Sequence, residues 1–532
     1  MITAALFTWL ESSLTLGDGD SFYHAKMTQL IIQQKGPVKN FPWLPFTTLK
    51  NYYTDHHFLF HLYLIPFILI AHNPLIGIKI GTILLAAIFF MVFYWLLKKL
   101  EIKYALIFTF LPLTTSVLPL RLALAKAPAS SLIILILGIF ALIKQKKWLL
   151  FLISFIYVWA HGGWPTILIA TLIYILAAAL QECLELSPEP QKRLIGSFRF
   201  YLKSFLTSFL KKENVAIIFT CLAGLAAGLI INPYFPQNLN FYWVQTFKVA
   251  VINYQSKIGV GVEWLPYDPI SLFKDNFLLT LFWLFVVCWF FLNYKKITET
   301  NKQKIWTRVQ LFLVIFSTVF FLYTVKARRM GEYFLPLSTL AITAVLNQGL
   351  KTMNWREWWQ KLKNFCWDNN FWVNHLLILT ILVSGVTLLI EAQVHLYTNM
   401  KKFFVEQARP LDNFKGIAQF LKNNAAPRSI VFHADWSYFP MLMYYDDQNY
   451  YINGLDATFF YDQNPDLYNL WRKIVEGKVS NGLAQTIKQN FNSQFVVVDT
   501  KNQNLDKILN QNNDFNEAYQ DKDGKVYKIK NF

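Results

Sequence analysis

The chain has 532 residues, 55% of them hydrophobic and 15% charged, with a mean hydropathy of +0.31. A soluble domain carries roughly a quarter charged residues, so this chain has too few to cover an aqueous surface; the same figures exclude disorder, collagen and a disulfide scaffold. In a soluble protein the net charge of +18 would suggest nucleic acid, but no basic groove module is present and the charges fall between apolar runs, so nucleic acid is not an expected partner.

In chain order, Ile2–Leu10 is too short to span a membrane and lacks the basic flank of a signal peptide. Gly17-Asp18-Gly19-Asp20-Ser21-Phe22-Tyr23-His24 follows. Two carboxylates one glycine apart can present oxygens to one hard divalent cation, Mg or Mn, with His24 as a further ligand; the plainer reading is a solvated polar loop. Asp55-His56-His57 and His61 come next. His57 and His61, four apart, share a helix face. With Asp55 or His56 they could ligate zinc or manganese, or they could be hydrogen-bonded anchors near an interface. The apolar stretch 57–72 does not fit as a span, because counting it would invert the later loops, and it reads as a helix on the outer interface.

Apolar runs at or near spanning length occupy 74–97, 104–120, 127–143, 148–160, 163–180, 215–232, 277–294, 309–325, 333–348 and 374–392. Lys98/Lys99/Lys103, Lys144/Lys146/Lys147, the loop from Lys192 to Lys212, Lys295/Lys296/Lys302/Lys304 and Lys351/Arg356/Lys361/Lys363 fall between alternate runs. Every second loop is therefore basic and should face the cytoplasm. Residues 1–73, 233–275 and everything after about 393 then face outward, which implies a leading span missing from this chain or an atypical start.

Five basic residues break the rule by falling in outward loops: Arg121 and Lys126 in one, and Lys326, Arg328 and Arg329 in another. Lipid-carrier phosphate is the partner such residues suit, with snorkelling toward headgroups as the alternative. Glu263, in Val262-Glu263-Trp264-Leu265-Pro266, sits in the long outward loop. It could be a third acidic ligand, orient an acceptor, or be an ordinary loop carboxylate. Beyond Pro410 polar residues dominate. Phe414–Leu421 and Leu467–Val475 read as helices, and Ser429–Phe432, Gln494–Asp499 and Lys525–Ile529 as strands, a small α/β domain of about 120 residues. Cys183, Cys221, Cys288 and Cys366 form no CxxC pair, so neither a zinc site nor a disulfide framework is indicated.

Taken in this order, the motifs resemble the catalytic subunit of oligosaccharyltransferase, within the wider GT-C glycosyltransferases that use polyprenyl-linked sugar donors. Asp20-Ser21-Phe22-Tyr23-His24 is similar to that family's Asp-x-Tyr-Tyr-His, and Ala160-His161-Gly162-Gly163-Trp164 to its Trp-Gly-Gly-Tyr segment. The resemblance implies Asp20 as metal-binding and catalytic acid, Glu263 as bridge between acceptor and metal, and Arg328 and Arg329 at the donor phosphate; Asp18, one glycine away, is a second carboxylate that could hold the cation or accept the acceptor's proton. Two departures stand out. Where the family has a second acidic motif, Arg121 is followed by Leu-Ala-Leu-Ala-Lys126-Ala-Pro; where it has a hydroxyl-reading W-W-D-Y-G, there is Asp435-Trp436-Ser437-Tyr438-Phe439. With Lys126 in place of an acid, the phosphate would be met more by lysine and arginine than by metal.

The expected fold class is mainly α: a polytopic helical membrane domain of GT-C type, with about ten or eleven spans, and a small C-terminal extracytoplasmic α/β domain. The expected divisions are 1–73, 74–400 and 401–532, in the cell (inner) membrane. The expected function is transfer of a sugar or oligosaccharide from a polyprenyl-phosphate-linked donor to an extracytoplasmic acceptor, with Trp436, Tyr438 and Asp435 at the acceptor. A transporter or flippase and a non-catalytic GT-C-fold subunit are the alternatives.

Overall fold

The computed structural model describes residues 1–185, 196–294, 304–352, 356–357, 360, 371–479 and 481–530. Lys192, Lys295, Lys296, Lys302, Lys361, Lys363 and Cys366 lie outside the described residues.

The first long helix, Pro74–Lys99, shows how local chemistry sets these elements. The Asn73 side chain accepts from the Leu75 and Ile76 N–H groups, Pro74 occupies the first position, and Lys98 and Lys99 close the last turn. Among the described residues five helices are long and apolar enough to cross a membrane: Pro74–Lys99, Pro165–Cys183, Lys212–Ile230, Ile270–Leu292 and Thr307–Lys326. A sixth crossing would be the pair Ala105–Thr114 and Val117–Ala123, which meet at 87°. Among the described residues the apolar runs of the sequence thus outnumber the helices that meet both criteria. Pro128–Ile143 and Lys147–Ala160 have 16 and 14 residues. At ~1.5 Å per residue they measure about 24 and 21 Å, short of ~30 Å of hydrocarbon.

The stretch expected at an interface forms the 14-residue helix Phe58–Ala71. It buries Phe60, His61, Leu64 and Ile68 and leaves Leu62, Leu69 and Ile70 exposed. Its close docking on Pro74–Lys99 depends on Gly77, where a Cβ would stand 2.7 Å from the Ile68 Cα. Gly228 does the same between Lys212–Ile230 and Lys147–Ala160, where a Cβ would come 2.8 Å from the Phe155 carbonyl oxygen.

The C-terminal region contains a five-stranded sheet in the order Tyr450–Tyr451, Ile430–His433, Ser493–Asp499, Gly524–Ile529, Phe515–Gln520. The first two pairings are parallel and the last two antiparallel. The central strand is buried from Phe495 to Val498, as expected where helices cover a sheet. The amphipathic helices Lys415–Asn424, Pro465–Val475 and Leu483–Phe491 present their apolar sides to it.

This region is woven into the beginning of the chain. Thr15–Leu16 pairs antiparallel with Arg409–Pro410, the Tyr451 N–H donates to the Trp43 carbonyl at 2.8 Å, and the Thr48 N–H donates to that of Phe459 at 3.1 Å. Buried Lys79 supports the same segment from Pro74–Lys99, donating to the Ser13 and Thr15 carbonyls at 2.6 Å each and pairing with Glu11 at 3.2 Å.

Candidate active site

The acidic loop sits at the start of the helix Asp20–Gln34. Asp18 Oδ1 accepts from the Ser21 N–H at 3.2 Å and the Ser21 hydroxyl at 2.9 Å, capping that helix. This leaves Asp18 Oδ2 and Asp20 Oδ2 facing Lys126, whose Nζ stands 2.7 Å from each. Burial opposes the lysine's charge, but Asp18, Asp20 and Glu263 outweigh it and hold Lys126 above the usual lysine range. Asp20 moves up from the usual carboxylate range, because loss of water and the charges of Asp18 and Glu263 outweigh the pull of Lys126.

A second ionic cluster lies beside the first. Glu263, in the short helical turn Val262–Trp264, receives Arg121 Nη1 on Oε2 and Arg329 Nη1 on Oε1, both at 2.6 Å. Arg121 Nε also donates to Glu332 at 2.8 Å. The Arg329 guanidinium lies 5.2 Å from the Trp264 ring centre. Burial alone would raise the Glu263 carboxyl, but Arg329, Arg121 and Lys126 hold it well below the usual range.

Two cavities meet here. One is lined by polar groups, among them Asp20, His24, Lys126, Glu263, Trp436 and Asp456. The other has no carboxylate in its wall: Ile169, Val251, Phe320 and Met330 form an apolar side, and Thr166 and Arg329 contribute polar groups. His56, His57, His161, Gln245, Trp264 and Arg329 line both.

The donor set does not fit a divalent cation. The space between Asp18 and Asp20 is bridged by an ammonium, and both Glu263 oxygens carry guanidinium groups. The histidine metal site fails for a similar reason. His61 Nδ1 stands 2.7 Å from Asp55 Oδ2 and His61 Nε2 stands 2.8 Å from His24 Nδ1, so neither His61 nitrogen is open. His57 precedes the helix Phe58–Ala71 and has non-helical angles, so the shared-face argument does not apply. Among the described residues no three His, Cys, Asp or Glu side chains are grouped to hold a metal.

Three other expectations change. Arg328 donates from Nε to the Pro266 carbonyl at 3.1 Å and lies over the Tyr267 ring, outside both cavities. Tyr438 is buried in the C-terminal core, 4.8 Å from the Phe414 ring centre, so it cannot meet an acceptor. Asp435 caps the turn Trp436–Tyr438 by accepting the Ser437 N–H at 2.8 Å and faces a neighbouring groove. Trp436 does line the polar cavity, with its Nε1 donating to the Gly259 carbonyl at 3.2 Å. Arg121 lines neither cavity and acts through Glu263 and Glu332. Sequence reasoning missed Glu332, although its three-residue spacing from Arg329 at a helix start was a usable signal.

No family model and no curated protein sequence matches the chain. Solved structures do match. The archaeal oligosaccharyltransferase AglB from Archaeoglobus fulgidus, in complex with an inhibitory peptide and a dolichol-phosphate, superposes with a TM-score of 0.58 at 11% identity, over 94% of this chain and 68% of that one. The apo form of the Archaeoglobus fulgidus oligosaccharyltransferase gives 0.59 at 13% identity, over 94% and 69%. ArnT from Cupriavidus metallidurans, bound to undecaprenyl phosphate, gives 0.53 at 10% identity over 99% and 96%. The chain therefore has the GT-C fold implied by the sequence resemblance.

Proposed function

We propose that this chain is a multi-pass membrane glycosyltransferase that moves a sugar or oligosaccharide from a polyprenyl-phosphate-linked donor to an extracytoplasmic acceptor. The observation that carries this reading is the pair of joined cavities. A polyprenyl phosphate needs an apolar channel with a cation at its phosphate, and the carboxylate-free cavity has Arg329 in its wall, where it meets the polar cavity. A sugar and its acceptor need polar and aromatic groups, which the other cavity supplies through Asp20, Lys126 and Trp436. AglB with dolichol-phosphate and ArnT with undecaprenyl phosphate share this fold, which supports the same class of carrier here.

The acceptor attacks the anomeric carbon as the bond from that carbon to the phosphate oxygen breaks. Negative charge grows on the leaving phosphate, and Arg329 and Lys126 are the cations that stabilise it. Asp18 and Asp20 aim the lysine, while Glu263 spaces the two guanidiniums. The fixed cations do the electrostatic work here, so transfer should survive chelation.

The test is transfer from radiolabelled polyprenyl-phosphate-linked sugars in membranes. Asp20→Asn and Glu263→Gln should each lower the rate, and EDTA should leave the wild type unchanged. Unchanged transfer in both variants would remove these residues from the site, and complete loss in EDTA would sink the metal-free version.

A further inference from the structure

Glycosyl transfer as proposed for this chain requires a group that takes the acceptor's proton, and on that premise the buried histidines supply one. The Asp55 carboxylate accepts the His57 backbone N–H on Oδ1 at 3.1 Å, and its Oδ2 stands 2.7 Å from His61 Nδ1. An ionised carboxylate can only accept, so the proton of that bond lies on His61 Nδ1. In neutral His61 the remaining nitrogen, Nε2, then carries a lone pair and must accept. The group 2.8 Å from it is His24 Nδ1, which is therefore the donor. Neutral His24 is left with a bare lone pair on Nε2, and His24 lines the polar cavity with Asp20 and Lys126. The hydrogen-bond chain thus fixes a proton acceptor at the wall of the cavity.

Each of the three carboxylates lining that cavity already has an oxygen engaged. Asp20 holds Lys126, Glu263 holds two guanidiniums, and Asp456 accepts the Thr458 N–H at 2.8 Å. Protonating Asp20 or Glu263 would break an ion pair, whereas protonating His24 Nε2 would not. Burial, followed by His61, Lys126, His56 and His161, presses the His24 pKa well below the usual imidazole range, which keeps the ring neutral. An imidazolium at this position would be costly, and the chain behind it provides an exit for the charge.

We infer that His24 is the general base of the transfer, and that His61 and Asp55 are positioning residues that fix its tautomer and carry the proton away. As the acceptor X–H forms its bond to the anomeric carbon, its proton passes to His24 Nε2. The His24 Nδ1 proton moves to His61 Nε2, and the His61 Nδ1 proton to Asp55 Oδ2. The electron pair of the broken carbon–oxygen bond leaves with the phosphate. Both imidazoles end neutral with exchanged tautomers, and Asp55 ends protonated.

The experiment combines nitrogen NMR with kinetics on the full chain. In protein labelled with nitrogen-15 at histidine, the His24 Nε2 signal, assigned by its loss in His24→Gln, should be that of an unprotonated nitrogen. In Asp55→Asn the amide can donate to His61, and the His24 signal should switch to protonated. With radiolabelled undecaprenyl-phosphate-linked sugars, His24→Gln should lower kcat by about 10²–10⁴-fold with an unchanged KM for the donor. Retained binding of undecaprenyl phosphate by His24→Gln shows that the variant is folded; where binding is lost, the tautomer measurement on wild type decides alone. A protonated His24 Nε2 in wild type, or a kcat in folded His24→Gln within twofold of wild type, would overturn the relay while glycosyl transfer stands. A wild type that transfers from no such donor would overturn both.

Discussion

The two ionic clusters beside the cavity are inverses of each other. At Lys126 one cation is shared by two carboxylates; at Glu263 one carboxylate is shared by two guanidiniums. The first arrangement leaves surplus negative charge around a held ammonium, whereas in the second the buried Glu332, paired with Arg121, balances the additional guanidinium. The clusters also act on each other: Glu263 favours the charge on Lys126 and opposes that on Asp20, and Lys126 favours the charge on Glu263. Placed side by side, the clusters hold Lys126, Arg121 and Arg329 each against a carboxylate in a low-dielectric wall.

The inverse relation can be broken from either side. Lys126→Met should have the largest effect, because it leaves Asp18 and Asp20 repelling each other. Transfer should fall by at least about 10²-fold, and Mg²⁺ or Mn²⁺ should restore part of it by taking the ammonium's place. The accompanying loss of stability should be below the about 3–5 kcal/mol of a fully buried broken pair, because Asp20 is 38% exposed. A thermal melt in detergent, with and without the divalent ion, would check this. Glu263→Gln comes next. It loosens Arg329, which lines both cavities, while Arg121 stays on Glu332, so undecaprenyl phosphate should bind more tightly while transfer falls by about 10–100-fold, the equivalent of a charged hydrogen bond worth ~1.5–3 kcal/mol.

The same variant has a pH signature. Glu263 is held below the ordinary carboxylate range in the folded chain, so its stabilising contribution is complete above that range and is lost as pH falls toward its lowered value. The Tm difference between wild type and Glu263→Gln should therefore be greatest near neutrality and shrink on acidification; a constant difference would count against the ion pairs. Arg328→Ala should do least, with stability within about 0.5 kcal/mol of wild type and transfer nearly unchanged, in contrast to Arg329→Ala one residue away.

Much of the polar site was legible because its basic residues violate the rule that orders the rest of the chain. Arg121, Lys126 and Arg329 stood out as basic residues in loops expected to be free of them, and Asp18, Asp20 and Glu263 as acids in the same set of loops. What the sequence could not convey was pairing. Nothing in the spacing says that Lys126 faces Asp18 and Asp20, 106 or more positions away, in preference to a phosphate. The Asp55–His61–His24 chain was hidden for a related reason, since it exists only where Phe58–Ala71 packs beside Asp20–Gln34. Arg328 and Arg329 were indistinguishable as letters, and the turn Arg328–Met330 sends them to different surroundings. The strands and amphipathic helices after Pro410 were easier to read, because period-2 and period-3.6 patterns are local. Span number was harder, because apolar composition does not reveal where a run bends, as at the 87° turn before Val117.

The short antiparallel pair of Thr15–Leu16 with Arg409–Pro410 bears on how this protein can be engineered. Only one residue separates that strand from Asp18, and its other edge is held by Lys79 from below. The C-terminal region is therefore not a cassette that can be exchanged at a single junction near residue 400. A chimera built to change the acceptor would have to carry residues 13–16 together with 404–411, so that two distant stretches of coding sequence are inherited as one unit.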